Sequence, residues 1–226
     1  ILMEPKEAGR LREPNNNLRR FSAYVFAQNL LFWTPVFFLV FSEHLALHQV
    51  LLLEGFYYLC VVLAEVPSGY ASDRWGRKPV LVISACTGVI AYAIFGMASS
   101  IWEFGAAQFF LALSIAFNSG SDTSYHYDTL VELDRADEFG EREGRVVGLS
   151  MVASALAGLL GGAIASWDLQ SVYFASCGAS IVALGLALSL REPNHTRHAK
   201  HPAAQLRMVA SMLRGDSGLR WFAAAA

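Results

Sequence analysis

Apolar and polar positions alternate along this chain in long blocks. Apolar runs cover about Phe21–Phe41, His48–Gly69, Pro79–Ala98, Trp102–Leu130, Val146–Ser166 and Gln170–Leu190. Crossing a hydrocarbon core roughly 30 Å thick takes about 20 such residues in a helix. A soluble domain can bury one helix of this kind. A series of them in one chain predicts an all-α polytopic membrane protein, a six-transmembrane-helix bundle. Polar segments frame it. Residues 1–20 read as a cytoplasmic tail, 21–190 as the bundle, and 191–226 as a loop with the start of a seventh helix. A short amphipathic helix is expected around Ala203–Leu213.

Composition sharpens this picture. Hydrophobic residues make up 54% of the chain and charged ones 16%, well below the quarter or so usual for soluble domains. Net charge is −2, which gives no case for nucleic acid. Cys60, Cys86 and Cys177 lie far apart inside apolar runs and read as small buried packing residues. The start reads as a polar, basic segment rather than a cleavable leader. The 17 Lys and Arg residues fall in the tail, around Arg74–Lys78, in a charged loop expected over 132–145, and from Arg191 onward. The intervening turns at Ser42–Leu47, Ser99–Glu103 and 167–169 carry none. The positive-inside rule then puts both ends in the cytoplasm of a multi-pass protein, expected in the inner cell membrane.

Between the second and third runs lies Gly69-Tyr70-Ala71-Ser72-Asp73-Arg74-Trp75-Gly76-Arg77-Lys78-Pro79. It reads as a tight charged turn at the water interface, with Gly69 and Gly76 supplying backbone freedom. On charge alone, Arg74, Arg77 and Lys78 fix orientation. The spacing G-x3-D-R-x-G-R-K also resembles the signature loop of the major facilitator superfamily of transporters. Glu65-Val66-Pro67-Ser68, Ser119-Gly120 and Tyr127-Asp128 resemble a bacterial branch of it. The resemblance implies that the six helices are half of a twelve-helix fold, and that the chain lacks the C-terminal half. It also implies alternating access around a midplane site between the halves. Asp73 would face a helix end of the other half and lock the inner side, and Arg77 would pair with Asp128. Glu65, just ahead of the turn, would join this network. The chain does not open on Met, and Trp221-Phe222 before four alanines reads as another apolar segment beginning. Both features lead to the same expectation of a fragment.

Asn118, Asp122 and His126 are spaced by four and share a helix face, with Tyr125 adding to it. Ionisable groups in a membrane segment usually face a bundle interior or a wet cavity. Helices 1 and 4 line the cavity in the family, so Gln28, Asn29, Asn118, Asp122, Tyr125 and His126 are cavity candidates. Asp122 and His126 could carry a proton, or could already sit at the cytoplasmic interface one turn away. Glu54, nearer the outer face, is a weaker candidate for proton or substrate binding. Gly158, Gly161 and Gly162 supply a close helix-packing surface. Ala157–Gly162 partly resembles the antiporter motif of the family, with its Gly pair but with Gly158 in place of Pro. The proton-coupling arginine of many exporters is absent, and Gln108 and Ala112 stand in that stretch. His195, His198 and His201 lack nearby carboxylates or thiolates, so no metal is expected. No cofactor is expected either, and no catalytic pair or nucleotide motif supports an enzyme. The leading function is proton-coupled export of a small organic molecule. The alternatives are import of a small metabolite or sugar, and a transport-inactive membrane scaffold or sensor. The expected partners are a small-molecule substrate, protons, the lipid bilayer and the second half of the same protein.

Overall fold

The computed structural model describes residues 5–193, with side chains from Asn16 onward. These residues form α1 (Pro5–Gln28), α2 (Phe37–His44), α3 (Leu47–Trp75), α4 (Arg77–Phe95), α5 (Ile101–Asn118), α6 (Ser121–Glu132), α7 (Phe139–Ala165) and α8 (Ser171–Ser189). A single 3-10 turn, Ala136–Glu138, leads into α7. The His195, His198, His201 cluster, the amphipathic segment and the seventh helix lie outside the described residues.

Among the described residues, five stretches are long and apolar enough to cross a membrane: Leu47–Trp75, Arg77–Phe95, Ile101–Glu132, Ala136–Ala165 and Ser171–Ser189. The first expected crossing is not among them, because its helix is broken. The Asn29 side chain donates to the Val25 carbonyl at 2.8 Å, closing the end of α1. Pro35 then removes a donor from the chain. The unwound segment between α1 and α2 stays apolar in composition, so its break is hidden from a hydropathy reading. Its backbone is held by protein groups, as unwound backbone at membrane depth requires. The Phe32 N–H donates to Ser176 Oγ at 3.1 Å, and the Phe32 carbonyl lies against Gly161 of α7.

Four further expectations change. Gly69–Pro79 is not one extended turn: α3 runs on to Trp75, and the reversal is Gly76 alone, at φ 104°. Gly69 is therefore helical, and a Cβ there would meet nothing within 4 Å. The fourth crossing is interrupted after Asn118, where Gly120 takes φ 70° and starts α6. The charged segment before Val146 is mostly helix, since α7 begins at Phe139. The cysteines are also not buried: Cys86 is exposed, and Cys60 and Cys177 are half-buried.

Two apolar clusters form the interior. One gathers Val40, Phe41, Val50, Phe95, Phe104 and Tyr173. The other gathers Phe21, Tyr24, Leu81, Tyr125, Ala183 and Leu190. Between them α4 and α5 approach closely through a reciprocal pair, in which Ser84 and Ser114 each donate a hydroxyl to the other's carbonyl at 2.8 Å. Small hydroxyl residues of this kind let membrane helices touch and bond. Only 11% of the most apolar part of α3 and 17% of that of α7 is buried, against 44% for α4. These two helices thus present most of their apolar surface outward, to lipid or to another protein surface.

Of the three packing glycines, Gly161 alone is pressed against another segment; Gly158 and Gly162 have open space where a Cβ would stand. Gly161→Ala would drive a methyl into the Phe32 carbonyl, which is backbone and cannot rotate away. The expected loss is about 1–3 kcal/mol, read as a lower thermal midpoint in detergent. Gly158→Ala and Gly162→Ala should leave that midpoint unchanged.

Candidate functional site

The end of the bundle that bears the α3–α4 reversal carries two joined polar clusters. The first is centred on Arg77, in the opening turn of α4. Its Nη1 donates to Asp73 Oδ1 at 2.8 Å and to Ser72 Oγ at 2.9 Å, both on α3. Its Nε donates to Asp128 Oδ2 on α6 at 3.3 Å. One guanidinium therefore ties three helices, a task suited to its planar fork of donors. Arg74 lies outside this cluster, exposed and bonded to the Tyr70 hydroxyl at 2.8 Å.

Arg77 and Lys78 occupy a helix N-terminus, where positive charge is unfavourable and backbone N–H groups lack partners. Glu192, just past α8, resolves both problems. Its two carboxylate oxygens accept from the Arg77 and Lys78 N–H groups, each at 2.7 Å. The same carboxylate lies directly against Gly76, so a side chain at that position would collide with it. Glu192→Ala should cost about 0.3–2 kcal/mol, measured by unfolding of the full-length protein in detergent. Glu192→Gln, which keeps an acceptor oxygen, should lose less.

The second cluster follows α5 into α6. The Tyr24 hydroxyl of α1 donates to Asn118 Oδ1 at 2.8 Å, and the Asn118 amide donates to Asp122 Oδ2 at 3.1 Å. The Thr123 N–H donates to Asp122 Oδ1 at 2.7 Å. The Thr123 hydroxyl lies 3.4 Å from both Asp122 Oδ1 and Glu143 Oε1. Glu143, on α7, then reaches His126 Nδ1 at 2.6 Å through its other oxygen. His126 is only 3% exposed. Asp122, Glu143 and His126 are three groups able to take up and release a proton, with Tyr24 and Asn118 fixing the first. Ser121 joins the two clusters by donating to Ser72 Oγ at 3.0 Å.

Of the residues singled out in the sequence, Asp73, Arg77 and Asp128 come together, and so do Asn118, Asp122 and His126. Others part from them. Tyr125 points away from Asp122, packs on Phe21 with ring centroids 5.3 Å apart, and donates its hydroxyl to the Arg191 carbonyl at 2.7 Å. Gln28 turns to Ser84, at 3.4 Å, and Asn29 closes its own helix. Glu65 is exposed and has no ion pair among the described residues. Glu192, Glu143, Ser72, Ser121 and Tyr24 escaped the sequence reading. Glu143 was hidden because its segment read as loop. The one signal for Glu192 was its place beside Pro193, just after the sixth apolar run.

Among the described residues no group of His, Cys, Asp and Glu is arranged to hold a metal ion. The tetracycline resistance protein, class C, of Escherichia coli is 31% identical over 157 residues, covering 70% of this chain and 38% of that relative. The chain thus spans less than half the length of the curated relative it matches. The family model described as Major Facilitator Superfamily matches residues 20–226. With that match over most of its length, on a bundle of apolar helices bearing the Arg77 hairpin, the chain is a multi-pass membrane protein that belongs to the Major Facilitator Superfamily.

Proposed function

We propose that this chain forms the N-terminal half of a secondary transporter that exports a small organic molecule in exchange for protons by alternating access. The observation that carries the reading is the pair of joined clusters at the inner mouth. Arg77 ties α3, α4 and α6, and beside it Asp122, Glu143 and His126 form a titratable chain. A proton bound there alters the charge next to the tie, so protonation can bias one conformation over another. The second half would cover the outward apolar faces of α3 and α7. The orientation follows the basic segments, with both ends cytoplasmic. Export is favoured by the matched relative, a resistance protein by name.

The test uses everted membrane vesicles from cells making the full-length protein, energised and offered tetracycline and other labelled amphiphilic compounds. The expected result is accumulation that a protonophore abolishes. Accumulation only in right-side-out vesicles would establish import instead. Absence of transport in both would favour a scaffold or sensor.

A further inference from the structure

The outer half of the bundle encloses a cavity of about 190 Å³, remote in the fold from the inner clusters. Its wall is aromatic. Trp33 comes from the unwound segment, Phe37 from α2, Tyr57 from α3, Phe95 from α4 and Tyr173 from α8. Trp33 and Tyr173 lie with centroids 6.3 Å apart and planes 12° apart, and Tyr173 stacks on Phe95 at 4.7 Å. Thr34 and Tyr58, both exposed, stand at its edge.

One carboxylate faces this space. Glu54 of α3 is half-buried and accepts a hydrogen bond from Gln108 Nε2 of α5 at 2.9 Å. Gln108 is 3% exposed, so the group that holds Glu54 is a buried neutral amide. No Lys or Arg lies between Arg20 and Arg74, between Lys78 and Arg135, or between Arg145 and Arg191. The helices around the cavity therefore bring no Lys or Arg to a carboxylate at membrane depth, where charge is costly. A second polar atom waits at the same wall. The Tyr173 hydroxyl is buried, on a residue 1% exposed, and has no hydrogen-bond partner among the described residues. Buried polar groups left unpaired call for an explanation, and an unseen guest is one.

A carboxylate among aromatic faces matches a positive charge on a nitrogen that carries organic substituents. Aromatic rings attract a cation over their faces, and quaternary ammonium groups are recognised in this way. A neutral guest would leave Glu54 uncompensated, and an inorganic cation would forgo the aromatic wall. We propose that this cavity binds the charged nitrogen of an organic amine or quaternary ammonium ion, with Glu54 as counter-charge and Trp33, Tyr57 and Tyr173 as its cation–π wall. The proposal rests on the transporter reading and names the substrate class. The unwound segment fits this role, since interrupted helices near the midplane build binding sites in transporters.

The test is equilibrium binding to the purified full-length protein, using benzyltrimethylammonium and its neutral isostere neopentylbenzene. Wild type should bind the cation at least about tenfold more tightly than the isostere, as expected for a charge-assisted contact. Glu54→Gln should erase that preference while its unfolding midpoint stays close to wild type. Trp33→Leu should weaken the cation more than the isostere. Equal affinity for the two probes in wild type, or an unchanged preference in Glu54→Gln, overturns the proposal. So does failure of the cation to bind. Because binding is read without transport, the two readings fail separately. Transport without cation binding removes only the cavity proposal, and cation binding without transport removes only the transporter reading.

Discussion

Arg77→Gln in the full-length protein is expected to cut transport roughly 5- to 150-fold while leaving membrane insertion intact. The wild-type guanidinium holds Asp73 at 2.8 Å and Asp128 at 3.3 Å. Without it, Asp73 and Asp128, on different helices, lose the guanidinium that lies between them. Breaking one partner out of a fully buried pair costs 3–5 kcal/mol or so. These side chains are 17–32% exposed, so water screens part of the loss. A shift of about 1–3 kcal/mol in the equilibrium between inner-closed and inner-open forms gives the stated range. Arg77→Lys keeps the charge but cannot span both carboxylates, so it should recover only part of the rate. Arg74 and Lys78 remain in either variant, so the positive-inside signal survives. Reactivity of a cysteine placed at Ser22, beside His126 and Arg142 at the inner mouth, should rise in Arg77→Gln. Wild-type turnover with unchanged reactivity would show that Arg77 only orients the hairpin. Asp73→Asn should act in the same direction with a smaller effect, since Asp128 keeps its partner.

Asp122→Asn should uncouple transport from the proton gradient. The change is nearly isosteric and keeps one acceptor oxygen, for the Thr123 N–H; only the bond from the Asn118 amide is given up, so the fold should hold. It removes the titratable group at the centre of the chain that runs from Tyr24 to His126. Accumulation driven by an imposed pH gradient should fall to background. Exchange of labelled for unlabelled substrate, which needs no net proton movement, should continue at a rate near wild type. Glu143→Gln should resemble it, because the amide leaves His126 Nδ1 without its carboxylate at 2.6 Å. Gradient-driven accumulation at the wild-type level in both variants would remove this chain from the coupling mechanism.

The membrane-crossing pattern was legible because burial in lipid demands long apolar runs, and α3, α4, α7 and α8 fall where those runs lie. The Arg77–Asp128 pairing was legible only through the family resemblance; charge alone would have assigned those residues to orientation. What the sequence hid shares a physical cause. Hydropathy averages over a window, so the break between Asn29 and Pro35 vanished in a run of Leu, Phe and Trp. The interruption at Ser119–Gly120, between α5 and α6, vanished in the same way. The partners Glu192 and Glu143 were hidden because they are tertiary. Nothing local to Glu192 announces that it will cap a helix N-terminus 114 residues away in sequence. Likewise Gln108, noted as standing where exporters carry Arg, acquires its meaning only from Glu54 on the neighbouring helix.

Proton movement in reconstituted vesicles tests the central claim most directly. The full-length protein would be sealed into liposomes holding a trapped pH-sensitive dye, with tetracycline and benzyltrimethylammonium added outside in turn. The account predicts a substrate-evoked pH change that is absent in protein-free vesicles and lost in Asp122→Asn. Binding of either compound without any accompanying pH change would contradict proton-coupled transport.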